Sequence, residues 1–229
     1  MQDVRERIRS ARSICVLTGA GISAESGIPT FRGAGGLWRD FKPEDLATPE
    51  AFERDPKLVW EWYDWRRGLI AKAQPNPGHY AVARFPIITQ NVDELHQRAG
   101  ARNVMEVHGS IWRIRCTRCD FETHDERVPL PEIPPRCECG ALLRPGVVWF
   151  GEGLPTDVWD NAFKAVCAAD VLLVAGTSSV VYPAASLAPF AKQSGAIVIE
   201  INPDETPISP SVDTSIRGKA GEVLPQLLE

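Results

Sequence analysis

At 229 residues, with 44% hydrophobic and 24% charged side chains, the chain has the length and composition of a globular protein with one sizeable core and room for a smaller module. A net charge of −5 argues against an electrostatic grip on nucleic acid. There is no apolar run of about 18 residues and no signal-peptide pattern after Met1, so the expected location is cytoplasmic, without a membrane partner.

Val4, Ile8 and Ala11 recur at helical spacing and predict a short amphipathic helix leading into an apolar run, Ile14 to Leu17, that reads as a buried strand. The run breaks into Gly19-Ala20-Gly21, and Ser23 to Ser26 looks like a helix opening. A strand that ends in glycines and then a helix aims backbone N–H groups at a phosphate, with Gly19 allowing the turn and Gly21 the approach to the ligand. Ala24 completes a G-x-G-x-x-A pattern, which an ordinary βα turn would also give. A dehydrogenase places an acidic residue about 20 positions on, closing a second strand. Here that region is Gly35 to Phe41, which is no strand, and Asp40 stands in the wrong context. A dinucleotide is expected, but not for plain hydride transfer.

Thr48-Pro49 and Asp55-Pro56 each pair a cap with a proline at the first helical position. The second helix should run to about Ala73, where Gln74 to Gly78 ends it, so the segment near 40–80 is a helical insertion. Within it Tyr63 and Arg66 lie three apart on one face. A guanidinium fork beside a phenol suits a carboxylate, although a solvated helix face has the same spacing.

Pro86 to Thr89 reads as the next strand and leads into Gln90-Asn91-Val92-Asp93; polar side chains past a strand's end lie where α/β sheets bind ligands, and Asn91 or Asp93 could equally cap a helix. Val104 to His108 reads as a third strand, and a histidine near its ordinary pKa at a strand end could take a proton from a hydroxyl at neutral pH. Cys116-x-x-Cys119, a gap of 17 residues and Cys137-x-Cys139 predict a tetrahedral zinc site. Four thiolates leave no open position, so the zinc should be structural. Cys15 and Cys167, alone in apolar surroundings, should be buried small residues. Leu143 to Pro155 is expected to return the chain to the main sheet, followed by a helix over 155–169, a continuous apolar strand at Val171 to Ala175, and Gly176-Thr177-Ser178 at its end. Ala196 to Asn202 reads as the last clear strand, and Val223 to Leu228 as a final helix. Polar groups at three successive strand ends would line one edge of the sheet.

Taken together, the glycine loop, Thr89-Gln-Asn-Val-Asp93, His108-Gly109 and Gly176-Thr-Ser178 resemble the signatures of the sirtuins, NAD-dependent protein deacylases, from about residue 10 to the C-terminus. The resemblance implies an α/β, Rossmann-like doubly wound parallel sheet (1–36, 84–108 and 146–229). It also implies a small inserted part made of a helical module (37–83) and a zinc ribbon (109–145). NAD would be contacted by Gly19, Ala20, Gly21, Ile22, Ser23, Glu25, Thr30, Phe31, Arg32 and Trp38, and at the nicotinamide and ribose by Gln90, Asn91, Val92 and Asp93. Gly176, Thr177, Ser178, Asn202, Pro203 and Ala220 would take the adenosine side. His108 would be the general base, His96 structural, and His79 and His124 match no motif. Val148, Trp149, Phe150 and Gly151 would pair by backbone with an extended acyl-lysine peptide. Tyr63 and Arg66, with Ala34, resemble the class III branch that removes succinyl and malonyl groups.

The implied reaction consumes NAD and yields nicotinamide, free lysine and an O-acyl-ADP-ribose, from a monomer acting on acylated protein lysines. The rival readings are a protein ADP-ribosyltransferase at the same site, a non-catalytic zinc-ribbon module and a plain dehydrogenase.

Overall fold

The computed structural model describes residues 2–30 and 41–229. Helix α1 (Gln2–Ser10) buries Val4 and Ile8 and leads into strand β1 (Ile14–Thr18), whose last four residues are buried. A short helix α2 (Ala20–Ala24) follows at once, earlier than the expected opening at Ser23. Helices α3 (Pro43–Leu46), α4 (Pro49–Arg54), α5 (Pro56–Lys72) and α6 (Pro77–Val82) form the helical segment. The caps are the ones the sequence advertises: Thr48 Oγ1 accepts from the Ala51 amide at 3.1 Å and Asp55 Oδ1 from the Leu58 amide at 3.0 Å. Gln74 to Gly78 does end α5, but Asn76-Pro77 within it also starts α6.

Next come β2 (Ile87–Thr89), α7 (Leu95–Arg98), β3 (Val104–Glu106), β4 (Gly109–Cys116), β5 (Glu122–His124) and β6 (Leu143–Val147). The chain closes with α8 (Thr156–Cys167), β7 (Val171–Ala175), a 3-10 turn (Ala184–Ser186), α9 (Leu187–Gln193), β8 (Ile197–Asn202), β9 (Thr214–Arg217) and α10 (Ala220–Leu228). Two expectations change here. A further strand, β9, follows the one read as last, and the final helix begins at Ala220.

Six strands form one parallel sheet in the order β3-β2-β1-β7-β8-β9, the doubly wound arrangement, with β1 and β7 at the point where the order reverses. Alternate residues of β1 and β7 enter different cores, as a period of two requires. Val16 and Leu173 pack with α1 and α10, whereas Cys15, Leu17, Leu172 and Val174 pack with α8 and α9. Cys15 is 2% exposed as expected, and Cys167 is half-buried. Helices therefore cover both faces, which is why these strands read as unbroken apolar runs.

The other sheet is three-stranded and antiparallel, β5-β4-β6. Leu143 to Val147 thus belongs to the zinc ribbon, paired with β4, and not to the main sheet. The ribbon shares a third core with the helical segment, in which Trp60, Trp62 and Val59 of α5 meet Ile111, Ile114 and Leu143. Three polar contacts reinforce that join. Trp60 Nε1 donates to the Leu143 carbonyl at 2.8 Å, and the Leu130 amide donates to Asp64 Oδ1 at 2.8 Å. The buried Arg67 guanidinium meets Asp125 at 3.4 Å. Among the described residues no helix is long and apolar enough to cross a membrane.

Candidate active site

Strand register decides which residues share an edge. Thr18 of β1 lies opposite Thr89 of β2 and Ala175 of β7; Thr89 lies opposite Glu106, and Ala175 opposite Ile201. The residues that follow, Gly19, Gln90, Val107, Gly176 and Asn202, therefore emerge together at the carboxyl ends of the strands, where doubly wound sheets bind ligands.

The glycines there serve a purpose that the sequence did not suggest. The Gly19 amide donates to the Ala175 carbonyl at 3.1 Å and the Gly21 amide to the Gly176 carbonyl at 2.7 Å. A Cβ on Gly21 would lie 2.7 Å from Gly176 Cα, and one on Gly19 would lie 2.8 Å from Thr177 Cα. Gly176 itself sits at φ +62 against Gly21 and Ile22. In this structure the absence of a side chain at Gly21 lets two stretches of backbone meet, a packing role beside the ligand approach expected of it. Ile22 is fully buried in the core, which leaves only its main chain able to face a ligand.

Around these loops the polar side chains interlock. Gln90 Nε2 donates to Thr177 Oγ1 at 2.9 Å, and Asn202 Nδ2 donates to the Thr177 carbonyl at 2.8 Å. Asn91 Nδ2 donates to the Gly19 carbonyl at 3.0 Å and to Ser23 Oγ at 3.1 Å, while Ser23 Oγ donates to Asp93 Oδ2 at 2.7 Å. Asp93 also accepts from the Leu95 amide at 2.9 Å. Its burial pushes the carboxyl pKa up, against those two bonds. Ala20, Ser23, Asn91, Val92 and Asp93 line one small cavity, and Arg66 of α5 lines it with them.

His108 lies two residues past β3, not inside it. Its Nδ1 stands 3.1 Å from the Gln90 carbonyl. A carbonyl only accepts, so Nδ1 carries the proton and Nε2 is left as the basic atom. Burial pulls the pKa of this ring below its ordinary value, and the bond to Gln90 partly opposes the shift.

The other candidates are dispersed. Glu25 Oε1 accepts from the Gly221 amide at 2.8 Å, which ties the glycine loop to the first turn of α10 beside the buried Ala220. Ser178 and Pro203 are exposed at the same edge, and Thr30 is half-buried. Phe31, Arg32, Ala34 and Trp38 lie outside the described residues. Tyr63 is 2% exposed, does not line the cavity that Arg66 lines, and has its ring centroid 6.0 Å from the Arg66 guanidinium carbon. In the 148–151 stretch the amides of Val148, Trp149 and Phe150 already donate to the His108 carbonyl, Glu152 Oε2 and the Ala47 carbonyl. A peptide added there would have to use the segment's carbonyls and amides from Gly151 onward.

Two buried histidines also stand behind the site. His96 Nε2 is 2.9 Å from Thr18 Oγ1, in keeping with a structural place. His79, which no motif suggested, accepts from the Asn76 amide at Nδ1, so its Nε2 bears the proton, 3.5 Å from Ser23 Oγ. The signal for it was the Asn76-to-His79 spacing of a capping box, with histidine in the place of the usual Glu or Gln.

In the ribbon the four candidate sulfurs of Cys116, Cys119, Cys137 and Cys139 lie within 4.8 Å of one another, with Cys116 to Cys139 at 3.5 Å and Cys119 to Cys137 at 3.7 Å. Tetrahedral zinc with Zn–S bonds of about 2.3 Å needs sulfurs roughly 3.8 Å apart, so the donor set fits zinc, C-x-C spacing included. The amide, hydroxyl and carboxylate groups at the sheet edge likewise fit NAD in chemical type.

A Sir2 family profile matches residues 19–183. An NAD-dependent protein deacylase of Aquifex aeolicus is 59% identical over 225 residues, covering 95% of this chain and 94% of that one. NAD-dependent protein deacylase 2 of Pyrobaculum aerophilum is 56% identical over 235 residues, covering 99% and 94%. Among solved structures, a Sir2 homologue–NAD complex superposes with a TM-score of 0.96 at 53% identity, covering 100% of this chain and 92% of that one. A Sir2–p53 peptide–NAD+ complex superposes with a TM-score of 0.90 at 31% identity, covering 100% and 97%.

Proposed function

The chain belongs to the Sir2 family and is an NAD-dependent protein deacylase, and from that premise we propose that it prefers lysines carrying succinyl or malonyl groups and also accepts acetyl. The observation that carries this reading is the place of Arg66, a cation lining the same small cavity as Asn91, Val92 and Asp93. Burial pulls its pKa down, with Tyr63 and Asp93 opposing the shift, and a poorly solvated guanidinium gains most from an incoming carboxylate. An acetyl group offers it nothing.

Bound NAD supplies an electrophilic ribose carbon and a nicotinamide leaving group. The rest is the work of this chain's residues. Asn91 and Asp93, fixed through Ser23 and the Leu95 amide, orient the cofactor's polar groups without having to reorganise. His108 takes up a proton at Nε2 while Gln90 holds the ring. The acyl-lysine peptide lies along Val148 to Gly151. One water is consumed, and the products are nicotinamide, free lysine and an O-acyl-ADP-ribose. Relatives named deacylases do not favour the ADP-ribosyltransferase alternative.

The test is nicotinamide release from two peptides that differ only in succinyl or acetyl on the lysine. The wild type should favour succinyl, and Arg66→Met should lower the succinyl-to-acetyl ratio of kcat/KM by about tenfold or more, the scale of a charge-assisted hydrogen bond. An equal loss on both peptides would return Arg66 to a structural role.

A further inference from the structure

We propose that Trp149 is a positioning residue for acyl selection: its indole N–H commits the Tyr63 hydroxyl to act as a hydrogen-bond donor, which favours an acyl chain ending in a carboxylate over one ending in a methyl group. The inference rests on the reading of Tyr63 and Arg66 as the acyl-carboxylate receptor.

Trp149 Nε1 lies 2.9 Å from the Tyr63 hydroxyl oxygen. An indole N–H can only donate, so the phenol oxygen must accept here. That fills one lone pair and leaves the hydroxyl hydrogen to be given elsewhere. The hydrogen bond seen at this hydroxyl among the described residues is the one it accepts. Tyr63 is 2% exposed and burial pushes its pKa up to about 12, so the phenol keeps that hydrogen at any working pH. The result is a protonated, buried hydroxyl whose orientation is set before a ligand arrives, three positions along α5 from a guanidinium that lines the cavity.

The indole cannot easily turn away. The Arg144 guanidinium carbon sits 3.5 Å from its ring centroid, and the Phe52 ring packs against it at 5.3 Å. Glu152 locks the arrangement by accepting from the Trp149 amide at 2.8 Å and from both terminal nitrogens of Arg144 at 2.6 and 2.9 Å. The indole is thus held by its backbone, by both neighbours of its ring and by its N–H. Such a fixed donor removes a reorganisation cost that a freely turning hydroxyl would meet on binding an anion. A phenylalanine at 149 would keep the stacking and lose the N–H, and the freed lone pairs of Tyr63 would then face the acyl carboxylate as readily as the hydrogen does.

The experiment is a double-mutant cycle read as the succinyl-to-acetyl ratio of kcat/KM, with KM and kcat resolved. Tyr63→Phe should lower the ratio by about tenfold, and Trp149→Phe by roughly threefold to tenfold, both through the KM for the succinyl peptide. In the double variant the indole has no hydroxyl left to direct, so the ratio should match that of Tyr63→Phe alone. Additive losses would overturn the proposal, because Trp149 would then act independently of the hydroxyl. A Trp149→Phe ratio equal to wild type, with Tyr63→Phe lowered, would overturn it while leaving the receptor reading intact. If neither Tyr63→Phe nor Arg66→Met moves the ratio, the receptor reading itself falls. Should Trp149→Phe fail to fold, benzothienylalanine at position 149, which keeps the bicyclic shape and replaces N–H by sulfur, carries the same expectation.

Discussion

At the scale of single residues, His108 gives the sharpest expectation. Burial holds its pKa below the ordinary histidine value, and the unprotonated ring is the form a base needs. The acid limb of a kcat/KM against pH profile should therefore fall below pH ~6.5. His108→Asn should lower turnover by about 100-fold or more while the variant still binds NAD. An acid limb at or above the ordinary histidine value would remove His108 from the role of base. Asn91 and Asp93 were legible because their motif is local and specific. The packing role of Gly21 was not, because its reason is the backbone of Gly176, 155 positions away and just past the end of β7. Trp149 read as backbone in a peptide-binding stretch, and its indole contact with Tyr63 becomes visible only once α5 and the 148–151 segment are folded together.

Among elements, strands buried on both faces announced themselves. Val171 to Ala175 is an apolar run, and Ile197 to Ile199 opens another, because helices cover both sides of them. β9, Thr-Ser-Ile-Arg at the sheet's edge, has no such run, and its serine and arginine instead reach the buried Glu200. α6 was hidden because a proline-rich break that stops one helix can cap the next. The ribbon's strands were hidden too, since their pairing is set by a hairpin and by thiolates brought together across 17 residues. That dependence yields a prediction. Stripping the metal with a chelator should cost amide protection in β4, β5 and β6 while β1 and β7 keep theirs, as read by hydrogen exchange. Simultaneous loss in both sheets would mean that the zinc does not hold the ribbon separately.

For the molecule as a whole, the two buried histidines set an acid limit. Burial lowers the pKa of His79 to about 4 and of His96 to about 3, with His79 adding to the effect on His96. The unfolded chain, with histidines near 6.5, binds more protons than the folded one between those values, so stability falls as pH drops. The decline should begin below pH ~6.5 and continue to about 4 and then 3. Asp93 and Glu106, whose pKa values burial raises, pull the opposite way. The histidine share is isolated by comparing Tm against pH for the wild type and for a His79→Gln, His96→Gln variant. Parallel curves across that window would show that the pair does not set the limit. The doubly wound architecture was expected from the resemblance that the motifs carry, and the continuous apolar strand at Val171 to Ala175 agreed with it. The fusion of helical segment and ribbon around one core was not, because Trp60 and Leu143 are 83 positions apart.

The close approach of the glycine loop to the end of β7 also bears on how this chain can drift. A damaging side chain in most cores can be rescued by a second change that trims its neighbour. Gly21 meets Gly176, and Gly176 meets Gly21 and the Ile22 amide nitrogen, all main-chain atoms that no side-chain change can trim. No suppressor is available inside the pair, so these two positions should travel together through a lineage or not at all.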